Sequence, residues 1–294
     1  MDPARPYTME SSWSSQMLGY VEEMQWLDKA GDKLTEWLDP LLSHPSAPRV
    51  KDFLNGVWLG HALHPMLTDL PVGLWTGSLL LDLVGARKSA GVMSAAGSTA
   101  AVAAAVTGVA DWTSMHGRTK RLALVHGMLN GAGLLFQLMS LTARLRWNRG
   151  SAFRLSLLGW TVSSTAAYIG GELVFSRGQM VNHTAWTEGP SEWTPVAAAS
   201  AITEGATHKG KLEERAVLLY KQGGRIYALE DTCSHAGGPL SEGEVKDGIV
   251  TCPWHGSQFR LTDGAVMRGP SCYAQLRLET RTRGGQVEVR GRQG

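Results

Sequence analysis

Cys233-Ser234-His235 and, after the sixteen residues 236 to 251, Cys252-Pro253-Trp254-His255 decide how the C-terminal part of this 294-residue chain must fold. Each stretch supplies one thiolate and one imidazole. Two cysteines and two histidines form the ligand set of a 2Fe-2S cluster in which imidazoles replace thiolates on one iron, lowering the net negative charge and raising the potential over an all-thiolate cluster. One residue of each type must then arrive together on each of two loops, and the spacing provides that. The same residue types also close a tetrahedral zinc site, but one Cys and one His per loop, in a Gly-, Pro- and Trp-bearing context, favours two irons. Electron transfer is the leading expectation.

Outward from these loops, residues 216–220, 225–229, 248–251 and 286–290 are short β-rich runs bounded by glycine-bearing turns such as Gln222-Gly223-Gly224-Arg225. They predict a small antiparallel β domain over 185–294. Residues 176–194, with Gly178, Gly189, Pro190 and Ser191, read as a linker. No internal repeat of 20 to 50 residues is evident.

Cys-x-His followed by Cys-Pro-Trp-His-Gly-Ser resembles the Rieske ferredoxin-type domain, from about residue 193 to 292. The likeness extends to Gly238-Pro239-Leu240, to Ser257 and Phe259, and to Gly269-Pro270, which is similar to the family's covering proline loop. The resemblance implies that Cys233 and Cys252 hold a buried iron, and His235 and His255 a solvent-facing one. The cytochrome bc branch of the family adds a disulfide between two further cysteines; here those positions are Gly238 and Trp254, so that cross-link cannot form. Ser257 keeps a hydroxyl for a cluster sulfur, whereas Phe259 lacks the one Tyr offers there. Such hydrogen bonds tune the potential, so a value below the bc type is expected. Cys272 reads as a small buried thiol.

The N-terminal half is different. Residues 89–110 contain no charge, and 122–143 only His126 as a titratable group; each is 22 residues long, against about 20 for a bilayer-spanning helix. Residues 155–171 are shorter, and 65–84 are interrupted by Asp69 and Asp82. Together they predict a four-helix transmembrane bundle within 51–184, with spans near 65–84, 89–110, 122–143 and 155–175. Small residues such as Gly97, Ala101, Ala105 and Gly108 let such helices approach closely. A soluble Ala-rich bundle is the bland alternative. Within the N-terminal segment 1–50, Met17, Val21, Met24, Leu27, Leu34, Trp37, Leu38 and Leu41 predict an amphipathic helix ending near Asp39-Pro40, lying on a membrane surface or against the bundle. The fold class expected is therefore α+β with two domains.

Trp58-Leu-Gly-His61-Ala-Leu-His64-Pro65, Asp69 to Trp75, Asp111-Trp112, His126 with Asn130, and Gly170-Gly171 resemble an uncharacterised family of four-helix membrane domains over about residues 50 to 184. With four spans, His61, His64, Asp69, Asp111, His116, His126, Glu172 and His183 fall on one side, and only Asp82 near the other. Ionisable groups in membranes usually mark a site, so His64 and His126 are candidates for a haem or quinone site, helix-end capping being the bland reading. Six basic residues in the short segments on each side leave the positive-inside rule tied. The N-terminus shows no export signal and no disulfide framework exists, so a prokaryotic cell membrane with a cytoplasmic N-terminus and cluster domain is expected.

A formal charge of +2, without a basic stripe, argues against nucleic acid, and three cysteines fit a reducing compartment. Expected partners are a redox protein, as donor or acceptor, and the lipid bilayer. A redox-sensing module is the alternative to a carrier. A Rieske oxygenase would need a mononuclear iron on two His and a carboxylate, yet about 40 residues follow His255 and none is His.

Overall fold

The computed structural model describes residues 13–146 and 148–291, so most of the N-terminal stretch read for an export signal lies outside the described residues, as does Arg292. Compactness divides the chain into one unit of residues 1–47 and 64–177 and a second of 48–63 and 178–294.

The second unit is the antiparallel β domain. Its strands are β1 (Thr194–Ala198), β2 (Thr207–Leu212), β3 (Arg215–Gln222), β4 (Arg225–Glu230), β5 (Glu244–Lys246), β6 (Ile249–Thr251), β7 (Gln258–Arg260), β8 (Val266–Arg268), β9 (Arg277–Arg283) and β10 (Gln286–Gly291). They form a six-stranded sheet, β1-β10-β9-β4-β3-β2, and a four-stranded one, β5-β6-β7-β8. The four sequence-expected runs correspond to β3, β4, β6 and β10. Alternation along β3 explains how one strand serves two cores. Val217 and Leu219 join Leu212, Leu278, Val287 and Val289 on one side. Leu218 and Tyr220 face the other way, with Leu229, Leu240, Val250, Phe259 and the two loop cysteines. Gly223 and Gly224, both at positive φ (61° and 77°), close the β3–β4 hairpin with the left-handed residues that suit strand twist.

Seven α-helices, rather than four, occur among the described residues: α1 (Trp13–Glu23), α2 (Trp26–Leu42), α3 (Ala47–Asn55), α4 (Leu63–Leu83), α5 (Arg87–Trp112), α6 (Gly117–Leu145) and α7 (Arg149–Gly171). The last four lie where spans are expected. Only α5 and α6 are long and apolar enough to cross a membrane. Asp69 and Asp82 interrupt α4, and α7 carries Arg154 and four serines. The expected amphipathic helix is two helices, and Pro40 sits inside α2 rather than ending it, the turn beyond it being closed by Ser43 N–H on Asp39 O at 2.8 Å. Leu18 of α1 and Leu27 of α2 pack with Trp112, Leu122, Ile169 and Leu173. Arg121 clamps Asp28 through two 2.7 Å bonds. The inner face of these helices thus packs on the bundle, while Tyr20, Trp26, Trp37 and Leu41 stay exposed.

The α4–α5 hairpin recurs as α6–α7 at a fixed offset of 62 residues, too long for a 20-to-50-residue window. Arg87, Ser89, Ala90, Ser94, Gly97 and Thr99 match Arg149, Ser151, Ala152, Ser156, Gly159 and Thr161, and His64, Met66 and Leu67 match His126, Met128 and Leu129. Contacts repeat as well: Ser78 Oγ donates to Ala90 O at 2.8 Å, and Ser140 Oγ to Ala152 O at 2.7 Å. Asp82 meets its own counterpart, Arg144, in a bidentate pair of 2.8 and 2.5 Å whose side chains are 9% and 13% exposed. Removing one partner of so buried a pair strands the other charge at about 3–5 kcal/mol, whereas removing both is far milder. Arg144→Ala is therefore expected to lower the thermal unfolding midpoint of the purified full-length chain markedly, and the Asp82→Ala/Arg144→Ala double variant to recover much of it.

Candidate metal centre

Cys233 and His235 lie between β4 and β5, and Cys252 and His255 in the β6–β7 connection. Both loops use one backbone design. Cys233 N–H donates to Gly238 O (2.8 Å) while Gly237 N–H returns to Cys233 O (2.9 Å); Cys252 N–H donates to Ser257 O (2.8 Å) while Gly256 N–H returns to Cys252 O (3.0 Å). Gly237 and Gly256 take φ of 81° and 75°, a region glycine occupies without strain. Each cysteine is thereby fixed at the base of a turn whose tip carries the histidine.

The four side chains sort by chemistry rather than by loop. The Cys233 and Cys252 thiols are buried and hydrogen-bond to one another, and the His235 and His255 rings stand 4.9 Å apart at 80°. A thiol pair beside an imidazole pair suits two irons with segregated ligands. His235 Nδ1 is buried without a hydrogen-bond partner among the described residues; such an atom costs about 1–3 kcal/mol, and a bond to iron offsets that. Burial, then the charges of His255, His183 and Lys51, pushes His235 down to about 3, so its ring is neutral as a metal ligand must be. The hydrogen bond from Cys233 lowers the Cys252 thiol to about 6, with the Trp254 and His255 N–H groups assisting. The same bond, together with burial, raises Cys233. One thiolate therefore forms readily.

Several supporting contacts carry no local sequence signal, because their two ends come from distant segments. Ser257 Oγ accepts Ser271 N–H at 3.0 Å, just past Gly269-Pro270. Gln275 accepts Ser234 N–H at 3.1 Å and donates to Glu230 O and Thr232 O at 2.7 and 2.5 Å. The 48–63 segment, whose residues 51–63 were expected within the helical domain, packs on the proline loop: Asp52 Oδ1 accepts Gly269 N–H at 2.9 Å, and Cys272 Sγ donates to Asn55 O at 3.1 Å. Cys272, 8% exposed, is thus a packed thiol.

Of the helical-half candidates, His64 and His126 come together, with ring centres 6.2 Å apart. His61 is exposed and bonds locally to Ala62 O, Asp69 and His116 are exposed, and Glu172 pairs with Arg177 at 3.0 Å. His183 donates its N–H to Ser234 O at 3.0 Å.

Two matched loops delivering paired thiols and paired imidazoles from a small antiparallel β domain define a Rieske-type iron–sulfur protein. Residues 192–280 match the Rieske [2Fe-2S] domain model, and residues 60–183 that of a predicted membrane protein family, DUF2231. Ferredoxin CarAc of Metapseudomonas resinovorans is 31% identical over 100 residues, 34% of this chain and 94% of that protein. The ferredoxin subunit of anthranilate 1,2-dioxygenase from Burkholderia cepacia is 32% identical over 99 residues, 34% of this chain and 92% of that protein. Among solved structures, a chain of the complex of reduced oxygenase and oxidised ferredoxin in carbazole 1,9a-dioxygenase is 30% identical, covering 35% of this chain and 95% of that one with a TM-score of 0.32. The chain belongs to the Rieske [2Fe-2S] family through its C-terminal third.

Gly238 lies under the ring of Trp254, so the two positions that carry the bc-type disulfide do adjoin here. A Cβ at 238 would stand 2.9 Å from Trp254 Cγ and 3.0 Å from Cys252 Sγ. Gly238→Ala is expected to cost about 1–3 kcal/mol by overpacking and to lower cluster content, read as iron and acid-labile sulfide per chain.

Proposed function

We propose that the chain is a membrane-anchored one-electron carrier, with Cys233 and Cys252 holding one iron of a 2Fe-2S cluster, His235 and His255 the other, and a second redox group, haem or quinone, at His64 and His126. The observation that carries the reading is the pair of equivalent loops sorting thiols from imidazoles. When bound, the cluster takes up and releases single electrons. The protein's part is to keep the thiols dry and the imidazoles neutral, and to present the histidine loop tips, where Trp254 is exposed, to a redox partner. The Burkholderia cepacia relative is the ferredoxin subunit of a dioxygenase, which makes an oxygenase component the partner class. Anchoring is supported by the DUF2231 match and by α5 and α6, whose apolar windows are only 28% buried, where a soluble core helix would be mostly covered. Val92, Val102, Val106, Leu135 and Leu138 are among the apolar residues left exposed. The absent cross-link favours a cluster facing a prokaryotic cytoplasm.

Reduction of the purified full-length protein with dithionite should give a Rieske EPR signal that His255→Ala abolishes; a wild-type protein without that signal sinks the carrier reading. Ser257→Ala should lower the reduction potential by about 60 mV, the one-electron equivalent of a ~1.4 kcal/mol hydrogen bond, and Phe259→Tyr should raise it, both read by EPR-monitored redox titration.

A further inference from the structure

His64, at the start of α4, and His126, in the third turn of α6, face one another with ring centres 6.2 Å apart and planes at 89°. The same device holds each ring. His64 Nδ1 bonds to Ala104 O on α5 at 2.8 Å, and His126 Nδ1 to Ala166 O on α7 at 2.7 Å. A carbonyl oxygen only accepts, so Nδ1 carries the proton in both rings, and Nε2 of the neutral ring keeps its lone pair. Asn130 Nδ2–H holds that lone pair in His126 at 3.2 Å; a metal would take the place of this bond, and Asn130 Nδ2 would keep its second one, to His126 O at 3.1 Å. A backbone carbonyl on one nitrogen is what orients a histidine whose other nitrogen binds metal.

The number of ligands decides among candidates. Two imidazoles are too few for a protein-held zinc, and among the described residues no third His, Cys, Asp or Glu completes a set. A haem iron needs only two, since the porphyrin supplies the rest. With metal–nitrogen bonds of about 2.0 Å, and about 1.1 Å from nitrogen to ring centre, an iron between two imidazoles sets their centres about 6.2 Å apart. A quinone's carbonyl oxygens, by contrast, are acceptors and find no donor at Nε2.

The repeat supplies the second, independent argument. His64 and His126 are 62 residues apart, as are Ala104 and Ala166, and Gly108 and Gly170. A residue that meets its own counterpart marks a two-fold axis; the histidines do so at one end of the bundle, and Asp82 with Arg144 at the other. Glycines 108 and 170 leave room for the rings, since a Cβ there would stand 2.7 Å from His64 Cε1 and 3.0 Å from His126 Cε1.

We infer that His64 and His126 are the axial ligands of a non-covalently bound, b-type haem held on the axis between the two hairpins. No Cys-x-x-Cys-His attachment motif is present in the chain. The inference deepens the electron-carrier reading and rests on it for the haem's purpose, a second one-electron couple in a chain that carries a one-electron cluster.

Titrating haemin into full-length protein in detergent should give about one haem per chain by pyridine haemochrome, with a six-coordinate low-spin spectrum and no carbon monoxide adduct when reduced. His64→Ala and His126→Ala should each lose the low-spin form, and any ferrous haem retained should bind carbon monoxide, while the Rieske EPR signal persists. His64→Met guards against misfolding: it should keep six coordination and raise the haem potential, as Met/His ligation does. Haemin that binds with no defined stoichiometry, or with a spectrum unmoved by all three variants, overturns the haem site, as does recovery of bound quinone in its place. Loss of the Rieske signal with an intact haem spectrum would count against the carrier and leave the haem standing.

Discussion

The constraint on which the β domain depends is the burial of two thiols that must stay within bonding reach of one another while two imidazoles remain at loop tips. Side-chain packing alone would leave four flexible groups to order. The backbone removes most of that entropy beforehand: each cysteine opens a turn that closes on its own carbonyl through a left-handed glycine, so the direction of the side chain follows from the chain path. The surroundings then hold the turns. Gln275 fastens one loop to β4, Ser257 ties the other to the proline loop, and β3 lays Leu218 and Tyr220 beneath both. Substituting a member of this set disturbs the loop it holds, even where it touches no ligand.

Much of this was legible in the sequence because it is local. The Cys-x-His and Cys-Pro-Trp-His stretches are turns, and β3, β4, β6 and β10 are β-rich runs bounded by glycine-bearing turns. β5, β7 and β8 escaped notice because each mixes apolar with charged residues within three positions, and β9 (Arg277–Arg283) because its six-residue stretch Arg277-Leu-Glu-Thr-Arg-Thr282 is mostly polar. The packing of residues 48–63 on the proline loop was illegible for another reason: Asp52 and Gly269 are 217 positions apart, and no local pattern encodes their meeting. In the helical half, the stretches picked out by hydrophobic length coincide with α4 to α7, yet length and composition qualify only α5 and α6 as spans. The duplication was hidden by scale, since its period is 62 residues and its identities are scattered, at buried contacts such as Ser78 and Ser140 and at exposed positions such as Met66 and Met128.

Those positions show what the duplicated hairpin needs. Serine hydroxyls bonded to carbonyls of the neighbouring helix, at Ser78 and Ser140, tie helix pairs together where apolar surface alone gives little preference for one neighbour. Glycines at 97 and 159 admit the side chains of Trp75 and Gln137, which are themselves counterparts. The second exchange is telling: where one half packs an indole, the other buries an amide that accepts from both Ser94 and Ser156. The halves share a frame but not an interior.

Asp82 and Arg144 carry that asymmetry furthest. Were the two hairpins identical, the self-facing position would hold two aspartates or two arginines, and like charges in so covered a place would drive the halves apart. Opposite charges there require that the copies be different, and covalent linkage in one polypeptide is what allows them to differ. At this end the bundle closes by complementarity rather than by identity, so a hairpin meeting a second copy of itself here would set like charge against like.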